Sequence, residues 1–163
     1  MSAHDIAVAA AVTVLFFCSS VYLGVFTGLH FFWFPDWRNL TVDNFRPQFF
    51  GPIGHARFFF TIVVIVMYLT IIALLILEWN TVYGWFHVAS FLLLSASFYV
   101  GNWLVFPINT ALKDAGVTQA DLTSGLTRWM HFNSIRTVII AVMWFELMAY
   151  LLLKLYGAPG SGG

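Results

Sequence analysis

Charge is what this chain has least of. Its 163 residues include 7 Lys and Arg and 7 Asp and Glu, and only 9% of the sequence is charged. A soluble domain carries about a quarter, so this surface is not built for water. The net charge is zero and there is no basic run, which excludes a nucleic-acid partner. Cysteine occurs once, as Cys18, so no intramolecular disulfide can form; a small buried residue is its simplest reading. Cys-x-x-Cys, Glu-x-x-His and His-x3-His spacings are all missing, which argues against a thiolate centre or a di-iron carboxylate site. There is no internal repeat, and low-complexity sequence is confined to residues 157–163.

What the chain has instead is apolar length. Hydrophobic residues make up 61% of it, gathered in stretches 6–34, 58–77, 82–106 and 138–153. About 20 such residues cross a bilayer core of ~30 Å as a helix. The first three stretches suffice alone, and the fourth does so once the turns from Arg128 onward dip into the interface. The first stretch lacks a basic leader, because His4 and Asp5 precede it. It is also about twice the length of a signal-peptide core, and therefore reads as a retained span. The expected fold is all-α: one transmembrane four-helix domain over residues 1–156, with both termini on the same side and a flexible tail at 157–163. The expected location is multi-pass, in a bacterial plasma membrane.

Glu78-Trp79-Asn80-Thr81 is a tight turn that makes the second and third helices antiparallel neighbours. The longer segments 35–54 and 107–126 lie on the other, loop side. Pro35, Pro47 and Pro52 punctuate the first of these, and Pro107 is expected to stop the third helix. Thr118 with Asp121 resembles an N-cap and its acidic N3 residue, so the fourth helix starts before it enters the membrane. Arg38, Arg46 and Lys113 in the loop-side segments against Lys154 at the terminal side place the loop side in the cytoplasm.

Polar side chains are costly against lipid, so their direction marks the bundle interior. At about 100° per residue, Thr13, Ser20, Gly24 and Thr27 form one stripe of the first helix, its expected packing face. Gly24 and Gly28 add a small-xxx-small pair for close approach of another backbone, inside the bundle or in a homo-oligomer. Arg57, Thr61 and Tyr68 align on the second helix, and His87, Ser90, Ser97 and Gly101 on the third with Asn102 to one side. The fourth presents Trp129, Asn133 and Arg136 together. With Asn109, the residues Arg57, Arg136, Asn102, Asn133, Trp129 and Tyr68 outline a loop-side pocket for the carbonyl, phenolate or carboxylate of a lipophilic small molecule. Snorkelling to the headgroups is the competing account of both arginines.

His30, His55 and His131 fall at loop-side helix ends, where antiparallel threading brings them to one level. They are either interfacial anchors or ligands of haem b or copper. His131 lies about 140° around its helix from Arg136, so both cannot face the bundle axis. Glu146 stands roughly ten residues, or ~15 Å, from the end of its helix, near the membrane midplane. It is either a proton-handling group with His87 as partner or a hydrogen-bond donor between helices. The chain holds 18 Phe, 7 Trp and 6 Tyr. Phe31-Phe32-Trp33-Phe34, Phe49-Phe50 and Phe58-Phe59-Phe60 crowd the loop side, where they suit a planar hydrophobic ligand or plain lipid contact.

Phe106-Pro107-Ile108-Asn109-Thr110-Ala111-Leu112 and Trp129-x3-Asn133-x2-Arg136-Thr137 resemble the paired signatures of the anthrone oxygenase-like family of small four-span membrane proteins. The resemblance covers about the last 60 residues; the first half agrees in number and placement of spans. It carries over Pro107, Asn109, Trp129, Asn133 and Arg136 as the family's pattern. It implies insertion of oxygen into an anthrone without a separate cofactor, an activity assigned to a minority of the family. On that reading Arg136 and Asn133 stabilise an oxyanion and His131 or His55 is the base. Two readings stand against it: a haem-, metal- or quinone-binding membrane subunit using the loop-side histidines, and a non-catalytic helper subunit of a larger membrane complex.

Overall fold

The computed structural model describes residues 2–156, without the side chains of His55 and Leu155. The tail 157–163, expected to be flexible, lies outside the described residues. Four helices, α1 (Ala3–Trp37), α2 (Arg46–Glu78), α3 (Gly84–Ala111) and α4 (Gln119–Tyr156), are each long and apolar enough to cross a membrane. No strand occurs among the described residues. Each helix packs on its neighbours in sequence, and α4 closes the ring against α1. The result is an antiparallel four-helix bundle with both chain ends on one side. The outward faces keep large apolar side chains such as Phe17, Leu69, Ile76, Val138 and Phe145, each at least 63% exposed. A continuous apolar exterior of this kind is solvated by lipid; the chain is a multi-pass membrane protein.

Helix starts follow local chemistry. Ser2 caps α1 in a reciprocal box with Asp5, its hydroxyl accepting from the Asp5 N–H at 3.2 Å while the Asp5 carboxylate accepts from the Ser2 N–H at 2.8 Å. Thr118 and Asp121 make the same exchange at the start of α4. The expectation that Pro107 stops the third helix is corrected: α3 runs on to Ala111. Proline lacks an N–H and crowds the carbonyl four residues back. The helix absorbs this as a widened π turn, Val100–Val105, just before Pro107. A second π turn, Leu29–Trp33, precedes Pro35 in α1. In α2, Pro47 stands in the first turn, and a third π turn, Arg46–Phe50, immediately precedes Pro52, so the helix begins at Arg46, well ahead of the apolar stretch.

The polar stripe of α1 is not the centre of its packing face, although Ser20 on its edge accepts from Trp144 Nε1 of α4 at 2.8 Å. Val8, Val12, Leu15, Ser19, Tyr22 and Phe26 are buried at alternating spacings of four and three, a heptad seam. That seam lies roughly 130° around from the stripe at Thr13, Ser20, Gly24 and Thr27. Thr13 returns its hydroxyl to the Ala9 carbonyl at 2.8 Å, and Thr61 and Thr70 of α2 do likewise to Arg57 and Val66. A hydroxyl satisfied by its own helix no longer reports the interior. Around Gly24 there is open space, and Gly28 approaches only its own Phe32, so this pair packs no helix of the same chain. In α3 and α4 the stripes are interior as expected: His87, Ser90, Ser97 and Asn133 are all buried.

Candidate functional site

Toward the loop side the helices part around a cavity of about 360 Å³, at the small end of the ~300–1,000 Å³ typical of ligand sites. Its inner end is set by Tyr22 and Phe26 of α1, Gly101 of α3 and Asn133 and Arg136 of α4. Its outer end is closed by Trp33, Trp37 and Trp129. Trp129 is clasped by Trp37 and Phe49, whose ring centroids lie 5.4 and 5.2 Å from its own. The π turns of α1 and α3 contribute lining residues, Leu29 and Trp33 from α1, Gly101, Asn102 and Val105 from α3. The extra residue in each widened turn swings these groups inward relative to an unbroken helix. Arg57, Thr61 and Ile65 of α2 face Phe98, Asn102 and Phe106 of α3 along one side, and all six are exposed. The mouth therefore opens sideways, between α2 and α3, toward lipid.

Arg136 is fixed from three directions. One Nη donates to the Tyr22 hydroxyl at 2.6 Å and the other to Asn133 Oδ1 at 3.0 Å. Asn133 is itself held by donating to the Trp129 carbonyl at 2.9 Å. The guanidinium lies 4.6 Å over the Phe26 ring. On its other side a Cβ at Gly101 would sit 3.2 Å from Arg136 Cζ, so glycine there lets the guanidinium lie close to α3. Two of five N–H donors are used in these bonds. Arg136 Nε, Trp129 Nε1 and Asn109 Oδ1 are buried with no partner among the described residues. Arg57 sits at the mouth, 5.1 Å over the Phe106 ring. No Asp or Glu lines the cavity, so its field favours an anionic or carbonyl oxygen.

Of the pocket residues expected from sequence, Arg57, Asn102, Asn109, Trp129, Asn133 and Arg136 line this one cavity. Tyr68 does not; its hydroxyl donates to Ser95 Oγ at 3.1 Å, outside the lining. Asn102 returns its amide N–H to the Phe98 carbonyl, as a lone polar side chain on a helix does. His30 and His131 are exposed and neither lines the cavity. His30 Nδ1 stands 3.4 Å from Ser134 Oγ of α4, at the shared level that threading implied. His55 belongs to the first turns of α2, with its side chain outside the described residues. Among the described residues no three His, Cys, Asp or Glu side chains gather as a metal site.

Glu146 and His87 do not hydrogen-bond each other; each is held by another residue. Glu146 accepts from Ser90 Oγ at 2.6 Å, and His87 Nε2 bonds Glu78 Oε2 at 2.7 Å. His87 is one helical turn nearer the terminal side than Ser90, which is why a different carboxylate reaches it. Sequence reasoning missed Tyr22 and Glu78. Tyr22 falls on the heptad seam of α1, a signal hidden by apolar residues on every face. Glu78 was absorbed into the reading of a tight turn. Compared with known proteins, the chain matches no family model, no curated protein and no solved structure.

Proposed function

We propose that the cavity takes a lipophilic aromatic ketone or phenol from the bilayer, and that the chain is a cofactor-independent oxygenase of anthrone type. The observation that supports this is a guanidinium, Arg136, held rigidly at the inner end of an apolar cavity with no carboxylate beside it. A donor fixed in advance stabilises a developing oxyanion without reorganising. The sideways mouth suits a substrate that partitions into lipid.

In the reaction an anthrone loses a proton from its methylene carbon, and the negative charge spreads to the carbonyl oxygen facing Arg136. The carbanion combines with dioxygen, and the resulting hydroperoxide loses water to leave the quinone. Arg136 holds the oxyanion, and Asn133 and Tyr22 hold Arg136. Trp33, Trp37 and Phe60 sandwich the ring system. The base in this reading is His55, whose side chain lies outside the described residues. His131, the other histidine considered for that role, does not line the cavity.

The test is oxygen uptake by the protein in lipid nanodiscs after addition of an anthrone, followed with the absorbance of the quinone. Uptake well above that of protein-free discs, lost in Arg136→Ala, is expected. Uptake equal to that of empty discs overturns the enzymatic reading. Saturable quenching of tryptophan fluorescence by the quinone without turnover would leave a quinone-binding subunit.

A further inference from the structure

The terminal-side half of the bundle holds a second set of ionisable groups, independent of the cavity. Glu78 ends α2, Tyr83 and His87 flank the start of α3, and Tyr150 and Lys154 lie in the last turns of α4. Glu78 is 3% exposed, and His87 and Tyr150 are fully buried. Glu78 Oε2 lies 2.7 Å from His87 Nε2 and accepts from the Tyr150 hydroxyl at 2.8 Å, while Oε1 bonds the Lys154 ammonium. That ammonium lies 5.5 and 5.4 Å over the rings of Tyr83 and Tyr150. The Lys154 side chain is 37% exposed and brings the cluster to the surface. From α1 the titratable groups at this rim are His4, whose Nε2 lies 3.0 Å from the Leu77 carbonyl, and Asp5, 3.9 Å from His4 Nδ1.

Ion clusters inside a membrane bundle are rare and usually functional. Glu78 is bonded by the Lys154 ammonium and the Tyr150 hydroxyl, the partners of a carboxylate, and a carboxylate oxygen facing His87 Nε2 puts the hydrogen on that nitrogen. His87 Nδ1 is then a bare acceptor, fully buried, and has no partner among the described residues. One turn deeper on the same face, Ser90 Oγ donates to Glu146 Oε2 at 2.6 Å, while Glu146 Oε1 is likewise buried and unpartnered. On α4, Glu146, Tyr150 and Lys154 follow at spacings of four, so they share a face. Two orphaned buried polar atoms on one column point to an occupant that moves between them.

We propose that Lys154, Glu78, His87 and Glu146 form a proton path by which Glu146 exchanges its proton with the terminal side of the membrane. A proton on Glu146 Oε1 passes to His87 Nδ1, directly or across one water, as the Nε2 proton moves to Glu78 Oε2. Glu78 trades that proton for one from interfacial water beside Lys154 and hands the new one to Nε2; the imidazolium then turns about Cβ–Cγ, so that the hydrogen from the terminal side is the one passed to Glu146. No electrons move, and each proton transfer breaks one bond to hydrogen and forms one. The path ends at Glu146, because Leu94, Ile140 and Met143, all fully buried, separate it along α3 and α4 from Gly101 and Arg136.

The test is infrared spectroscopy of the protein in nanodiscs transferred from water to deuterium oxide. The carboxylic C=O band of Glu146, assigned by its loss in Glu146→Gln, is expected to shift on exchange. Exchange should slow about tenfold or more in His87→Phe and keep its rate in Asn133→Leu at the cavity. Ser90→Ala, which leaves the packing intact, gives a second comparison should His87→Phe fail to fold. Three results overturn the proposal: no band assignable to Glu146, wild-type exchange in both His87→Phe and Ser90→Ala, or slowing by Asn133→Leu as large as theirs.

Discussion

Arg136 and Tyr22, 114 residues apart in sequence, meet at 2.6 Å inside the bundle, with the guanidinium donating and the phenol oxygen accepting. This bond ties α4 to α1 at the inner end of the cavity. Tyr22→Phe removes the acceptor and little else. It is expected to lower the stability of the protein in detergent by about 1–2 kcal/mol, near the low end for a hydrogen bond to a charged group. Quinone binding should weaken with it, because the guanidinium loses one of its fixed directions. Thermal unfolding and fluorescence quenching measured together check both outcomes.

Gly101→Ala addresses the same guanidinium from the opposite face. The added methyl would stand 3.2 Å from Arg136 Cζ and 3.3 Å from Nη2, close enough that the head group must shift by a few tenths of an ångström. We expect an intact bundle and ligand affinity reduced about tenfold, equivalent to ~1.4 kcal/mol. Unchanged affinity would show that the exact seat of Arg136 is immaterial.

Pro107→Ala restores the N–H whose absence accompanies the π turn Val100–Val105. The turn is then free to tighten to α-helical geometry, which rotates Gly101 and Asn102 away from the cavity. Binding should fall while thermal stability holds or rises. A crystal or cryo-EM structure of the variant with the widened turn retained would refute the link between proline and turn.

Glu78→Ala leaves the His87 Nε2 hydrogen and the Tyr150 hydroxyl buried without their acceptor. Each such loss costs about 1–3 kcal/mol, whereas Lys154 can turn outward to water. A drop of roughly 2 kcal/mol or more is expected in denaturation by mixed detergent. Lys154→Met should cost less, since that side chain is partly exposed. Equal effects from the two would mean that the cluster is held at its surface rather than at its buried carboxylate.

The sequence by itself determined the solvent, the number of spans and much of the cavity. Runs of apolar residues long enough to cross a bilayer allow little but helices, because every backbone polar group must be satisfied internally. Trp129, Asn133 and Arg136 were legible because helical spacing puts them on one seam of α4, where polar groups in a membrane turn to the bundle interior. Tertiary structure alone decided the rest. α1 carries large apolar residues on every face, so its seam and the place of Tyr22 became visible only once α2 and α4 were packed against it. Its hydroxyls misled because their own helix satisfies them. Which carboxylate meets His87 also depended on the relative heights of three helices, and Pro107 passes through a helix only because a widened turn absorbs it. Periodicity along one chain fixes directions around a helix axis; the axial offsets between helices come from how their surfaces interlock.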